Sequence, residues 1–110
     1  MISITLAAML AAAAPAAGPP AQPRRAYGAC LTKFGKAKAG EKLTPESFVA
    51  AAKAACAVEE SAFKKSLIDY DVRTGTKRGD AEEGAQLQVE DYLANAADTY
   101  QVNNEPAPPK

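Results

Sequence analysis

Three stretches of the chain place apolar residues three and four positions apart, which is the spacing of a buried helical face. They cover residues 26–37, 44–73 and 81–100. No segment between residues 26 and 102 alternates apolar and polar side chains, so no sheet is predicted. The apolar positions are Tyr27, Cys30, Leu31 and Phe34, then Val49, Ala52, Cys56, Phe63, Leu67 and Tyr70, then Ala85, Val89, Tyr92, Leu93, Ala96 and Tyr100.

Capping signals mark where the second and third helices begin. Thr44 is a good N-cap residue, Pro45 suits the first helical position, and the negative charge of Glu46 is favourable at the positive end of the helix dipole. Asp80 is the expected cap of the third helix, and acidic residues follow it. Gly40 is the expected stop signal after the first helix.

The N-terminal residues predict export. Residues 2–14 are apolar and uncharged, yet this run is shorter than the roughly 20 residues of a membrane-spanning helix. Ala14 and Ala16 form the small-x-small pattern that a signal peptidase recognises, so we expect a signal peptide over residues 1–16 and a periplasmic or secreted product. A Pro-rich, extended linker (17–25), a helical domain (26–102) and a disordered tail (103–110) are expected to follow.

Export determines the expected state of the two cysteines. Outside the reducing cytosol, Cys30 and Cys56 are most simply a disulfide, worth roughly 3 to 4 kcal/mol by the chain-entropy model. An alternative is a lipoprotein anchored through Cys30, because Gly28 and Ala29 are suitably small, although Tyr27 stands where an aliphatic residue is usual. The chain has no histidine and no CxxC motif, so no metal site is predicted.

Composition favours helices and narrows the classes of partner. Alanine is abundant and has the highest helix propensity. The net charge is zero, but residues 24–42 carry six basic side chains and one acid, whereas residues 79–110 carry seven acids and one base. We expect these charges to complement each other within the fold, with a basic patch for an anionic envelope partner as the alternative. Nucleic acid is not expected as a partner.

Candidate catalytic groups are few. Without histidine, Ser-His and Cys-His activation are excluded. Glu59 lies in the gap of the second apolar stripe, where it is either the acid of a carboxylate-based hydrolase or an ordinary residue at the core edge. Asp69, Asp71 and Asp80 have the spacing of a calcium-binding loop, but Arg73 stands where a ligand is needed, so no calcium site is predicted. No cofactor is expected.

The four tyrosines, Tyr27, Tyr70, Tyr92 and Tyr100, lie on or next to the apolar stripes. We expect them first at the edge of the core with a hydrated hydroxyl, and second as a possible partner surface.

The segments "AYGACLTKF", "LTPESFVAAAKAACAVEESAF" and "QVEDYLANAADTYQ" together resemble a class of small exported bacterial all-helical proteins of unassigned function with a helix-to-helix cysteine pair. The resemblance covers about residues 26–102 and implies a fold and a compartment, but no catalytic residues.

The prediction is therefore an all-α three-helix bundle, in which the disulfide clamps a short first helix onto a long antiparallel helical hairpin. The expected function is a non-enzymatic protein-binding or structural module of the cell envelope, without an integral membrane span. Its partner would be an unknown envelope protein or a second copy of the chain. The alternatives are a small hydrolase or its accessory subunit, and the lipoprotein.

Overall fold

Four α-helices make up most of residues 20–105, the part of the chain that the computed structural model describes. They are α1 (Ala21–Ala37), α2 (Pro45–Ala55), α3 (Ala57–Arg73) and α4 (Arg78–Asn103). No strand occurs within this range, and the all-α prediction is confirmed. The predicted signal peptide, the first residues of the linker and residues 106–110 lie outside the described residues.

The expected long second helix is divided at Cys56. The backbone there leaves the helical region at φ −108° and ψ 24°, so Cys56 ends α2 and begins α3. Its N–H still donates to the carbonyl of Ala52 at 2.9 Å, and its own carbonyl accepts from Glu60 at 2.9 Å. The division lets α2 pack mainly on α4 while α3 packs on both α1 and α4. Within residues 20–105 the bundle consequently has four helices, where three were predicted.

Helix α1 begins five residues earlier than predicted. Residues 21–25, expected to be extended linker, form its first turn, and Pro20 is its N-cap residue. Pro23 is compatible with this position because the first backbone N–H groups of a helix have no intrahelical partner to lose. The N–H of Arg24 donates to the carbonyl of Pro20 at 3.1 Å. Proline content alone was therefore a poor guide to where this helix starts.

The ends of the other helices match the capping signals in part. Thr44 accepts a hydrogen bond from the Ser47 N–H at 3.1 Å, as its sequence position predicts for the cap of α2. The prediction of Asp80 as the cap of α4 is wrong, since the cap is Lys77 and Asp80 lies within the first turn. There its negative charge still interacts favourably with the positive end of the helix dipole. Asn103, assigned to the tail, is the last residue of α4.

The core lies where α4 meets the other three helices. It contains most of the predicted apolar positions and adds Phe48, which the predicted stripe omitted. The fully or almost fully buried members are Tyr27, Leu31, Phe48, Ala52, Cys56, Phe63, Leu67, Ala85, Val89, Leu93, Ala97 and Tyr100.

The loop between α1 and α2 is fixed to the C-terminal end of α4. The Tyr100 hydroxyl donates to the carbonyl of Lys38 at 2.9 Å and accepts from the N–H of Leu43 at 3.2 Å. The side chain of Gln101 donates to the carbonyl of Leu43 at 2.8 Å. Gly40, in the left-handed region at φ 87°, donates its N–H to Asn104 at 2.9 Å. These contacts set the distance between α1 and the end of α4.

Candidate functional site

The four tyrosines do not form one surface. Tyr27 and Tyr100 are 0% and 3% exposed and belong to the core, although the ring of Tyr100 also lines a groove between α1 and α4. Tyr70 and Tyr92 are partly exposed. The Tyr92 ring also packs inward, with its centroid 5.7 Å from that of Tyr27 and 5.3 Å from that of Phe63. A role of the four tyrosines in partner binding stays a prediction.

Tyr27 keeps its polar group satisfied inside the core. Its hydroxyl donates to the Glu60 carboxylate at 3.1 Å, and the same carboxylate oxygen accepts from the Lys53 ammonium at 3.3 Å. Burial, and then the negative charge and hydrogen bond of Glu60, raise the pKa of the Tyr27 hydroxyl well above its ordinary value. This cluster joins α1 to α2 and α3 and is structural.

The predicted disulfide is present. Cys30 in α1 and Cys56 between α2 and α3 are bonded, with their Cα atoms 6.0 Å apart. A sulfur atom in a disulfide cannot also carry the thioether of a lipid anchor, which argues against the lipoprotein alternative at Cys30.

Glu59 lies beside this disulfide. One of its carboxylate oxygens and the two Sγ atoms are all within 4.8 Å of one another. The side chain is half-buried, and it is not among the residues that line four of the surface grooves of residues 20–105. A hydrolase needs its acid in a substrate cleft, so this position gives no support to the hydrolase alternative.

The calcium-like spacing of the three aspartates does not produce a common site. Asp69 accepts from Lys65 at 2.6 Å, and this hydrogen bond lowers the pKa of the Asp69 carboxyl group. Asp71 is buried within α3, and its Oδ1 has no hydrogen-bond partner among residues 20–105. Asp80 lies on α4, so the segment is helix, short turn and helix.

The basic segment contacts neutral groups of the neighbouring helices α3 and α4. The Arg24 guanidinium lies 5.3 Å from the centre of the Phe63 ring and reaches the Tyr92 hydroxyl of α4 at 3.5 Å. The ion pairs Lys38–Glu41, Lys53–Glu60 and Lys65–Asp69 each join residues at most seven positions apart. Charge complementarity between the two segments stays a prediction.

A groove of about 410 Å³ runs between α1 and the C-terminal half of α4. Its floor is apolar, formed by Leu31, Ala96 and the rings of Tyr92 and Tyr100. Gly28 and Gly35 have no side chain, so the groove stays open on the α1 side.

The rim of this groove is polar and almost uncharged. On α4 it consists of Asn95, Thr99 and Asn103, spaced four residues apart and all exposed. On α1 it is formed by Thr32 and Lys36, which are also four residues apart. We call these five side chains the groove rim.

Sequence reasoning missed the groove rim. In retrospect, the signal was the step of four between Asn95, Thr99 and Asn103 on a helix whose other exposed polar residues are mostly acidic. Exposed amides and hydroxyls are common on helices, so the spacing alone does not indicate a groove. It does so only together with α1, which faces these residues in the structure.

The comparisons with known proteins add no relative: the chain matches no protein-family model, no curated protein and no solved structure. The likeness to exported bacterial helical proteins therefore stays a prediction. Within residues 20–105, none of the helices combines the length and the apolar character needed to cross a membrane.

Proposed function

We propose that the protein is an exported, non-enzymatic binding module that holds an extended peptide segment of a cell-envelope partner in the groove between α1 and α4. The observation that carries the proposal is the row of hydrogen-bonding side chains above an apolar floor. No side-chain hydrogen bond joins Asn95, Thr99 or Asn103 to another residue in the range 20–105, so these groups are free to pair with a ligand.

The spacing of the groove rim favours an extended peptide over a helix. Four residues of α-helix advance about 6 Å, so Asn95, Thr99 and Asn103 present polar groups at this interval. An extended chain repeats its outward N–H and C=O groups every two residues, or about 6.6 Å. The two repeats differ by roughly 1 Å over the row, which flexible amide side chains absorb. A bound helix would leave the row unused, because its backbone groups are already paired.

The apolar floor would bind side chains of the peptide, as the groove rim would bind its backbone. Alternate side chains of an extended peptide point to one side, so those facing Leu31 and Ala96 would be apolar and small enough for the groove. Gly28 is consistent with a binding role, since a Cβ there would meet the Tyr92 ring at an ordinary 3.7 Å and packing does not require glycine. Glycine in a helix interior lowers stability relative to alanine, and the packing of the fold gives no reason for this loss at Gly28.

The disulfide and the lack of a membrane-spanning helix among the described residues are compatible with an extracellular or periplasmic location. Together with the apolar run at residues 2–14, they support export as part of the proposal.

The test is selection of ten-residue peptides from a random display library against the oxidised chain, followed by NMR mapping of the selected binders. We expect the side-chain amide signals of Asn95 and Asn103 to shift on titration. Thr99→Arg places a long charged side chain in the groove and should weaken binding at least tenfold. Ala62→Arg adds the same side chain at an exposed position of α3 and should leave binding unchanged.

Two results would contradict the proposal. One is a set of binders whose affinity is the same for Thr99→Arg and the unmodified chain. The other is a set of chemical-shift changes that map away from the groove rim.

A further inference from the structure

We propose that the chain, once its disulfide is reduced, binds a divalent cation of the zinc class through Cys30, Cys56 and Glu59. This metal site does not depend on the groove between α1 and α4 or on the proposed function. The sequence gives no motif for it, since the ligands come from α1 and from the start of α3.

The positions of the three donors fit a tetrahedral cation. The two Sγ atoms and a Glu59 carboxylate oxygen already lie within 4.8 Å of one another. With Zn–S bonds of about 2.3 Å, two sulfurs of a tetrahedral site are about 3.8 Å apart. Rotation of the side chains reaches that separation without moving the helices, because the Cα atoms of Cys30 and Cys56 are 6.0 Å apart.

The neighbourhood of Glu59 supports a ligand role. This half-buried carboxylate makes no hydrogen bond or ion pair with any residue of the range 20–105, whereas the adjacent Glu60 is paired with both Tyr27 and Lys53. Cys56 and Glu59 are three residues apart at the start of α3, so they share one face of the helix.

Cys56 lies between two helices, as the C-cap residue of α2 and the N-cap residue of α3, so opposite ends of two helix dipoles meet there. Cys56 itself is buried, but Cys30 and Glu59 are each partly exposed, which gives a cation a path to the site and leaves room for water as a fourth ligand.

The chemistry balances in two steps. A dithiol reductant gives two electrons and two protons to the S–S bond, yielding two protein thiols and the cyclic disulfide of the reductant. The divalent cation then displaces one proton from each thiol and coordinates two thiolates and the Glu59 carboxylate, releasing two protons. The disulfide and the cation exclude each other, so a bound cation protects the thiols from oxidation.

The test is titration of the chain with Co²⁺ and Zn²⁺ after reduction by a phosphine, which does not compete for the metal as a dithiol does. We expect one Co²⁺ per chain with thiolate-to-cobalt charge-transfer absorption, displaced by Zn²⁺, and none for the oxidised chain. Glu59→Gln should weaken Zn²⁺ binding at least about tenfold, since even loss of an outer-shell partner costs 10–100-fold. Glu83→Gln, an exposed acid on α4, is the matched control and should bind as the unmodified chain does.

The far-UV circular dichroism signal is recorded throughout, because reduction destabilises the fold. Helical signal that is present, or that returns when metal is added, is expected. Binding without helical signal would overturn the proposal, because an unfolded chain does not bring Glu59 to the cysteines. Equal affinity of Glu59→Gln and the unmodified chain, or no one-to-one binding after reduction, would also overturn it.

Discussion

Removal of the Cys30–Cys56 bond is expected to destabilise the fold strongly while leaving every helix intact. The bond closes a ring across a sequence separation of 26 residues. The chain-entropy relation gives a loss of about 12 cal/mol/K for such a ring, or about 3.5 kcal/mol at 298 K. A domain of this size has a total stability of roughly 5 to 10 kcal/mol, so the bond supplies a large part of it.

The structure indicates why the fold should nevertheless survive the loss. Tyr27 and Leu31 of α1 remain buried against the other helices, and the loop after α1 stays hydrogen-bonded to Tyr100. The double variant Cys30→Ala/Cys56→Ala should therefore show the same helical signal as the oxidised chain in the absence of denaturant. Its unfolding midpoint should move to lower urea concentration.

The assay is urea unfolding followed by circular dichroism, with oxidised chain, reduced chain and double variant measured side by side. The reduced chain keeps every heavy atom of Cys56, so it separates the cross-link from the packing of the sulfur. In a thermal scan the same loss corresponds to a decrease in melting temperature of roughly 14 to 28 °C. A loss below about 1 kcal/mol for both the reduced chain and the variant would refute the ring-closure argument.

Three further outcomes are expected. An unfolded tyrosine titrates near pH 10, and the folded-state pKa of Tyr27 is higher, so the contribution of Tyr27 to stability should be constant below pH 10 and fall above it by about 1.4 kcal/mol per pH unit. Tyr27→Phe should abolish this alkaline loss in urea midpoints measured against pH, at a cost of about 1 kcal/mol at neutral pH. Phe48→Ala should cost about 3 to 5 kcal/mol in urea unfolding, whereas Val58→Ala, at a side chain 79% exposed, should change stability by less than about 0.5 kcal/mol. Gly28→Ala should raise the free energy of unfolding by about 0.5 to 1 kcal/mol in a thermal or urea scan, and a decrease would mean that packing does require glycine there.

Local chemistry explains which parts of the fold could be predicted from the sequence. The apolar spacing placed helix at residues 26–37, 44–73 and 81–100, which lie largely within the four observed helices, and Thr44 and Pro45 marked the start of α2 correctly. The cysteine pairing followed from the count of two cysteines and the expected compartment, and it is confirmed. These are features that a few neighbouring residues, or a single possible pairing, determine.

Features that depend on contacts between helices could not be predicted in the same way. No glycine or proline in the sequence marks the break at Cys56, which lies where the chain is bonded to Cys30 of α1. Burial of Tyr27 became evident only with its partner Glu60, which lies on another helix. The groove rim and the metal site each combine residues from separate helices, and spacing along one helix cannot show what faces it.

Helix α4 follows the other three in the chain and contacts all of them, which has a consequence for biosynthesis. When α1, α2 and α3 have left the ribosome, α4 is still inside the exit tunnel. The apolar faces that pack against α4 in the folded protein are not yet covered at this stage. The nascent chain therefore passes through most of its synthesis without a completed core, and its apolar faces are accessible to chaperones during this interval.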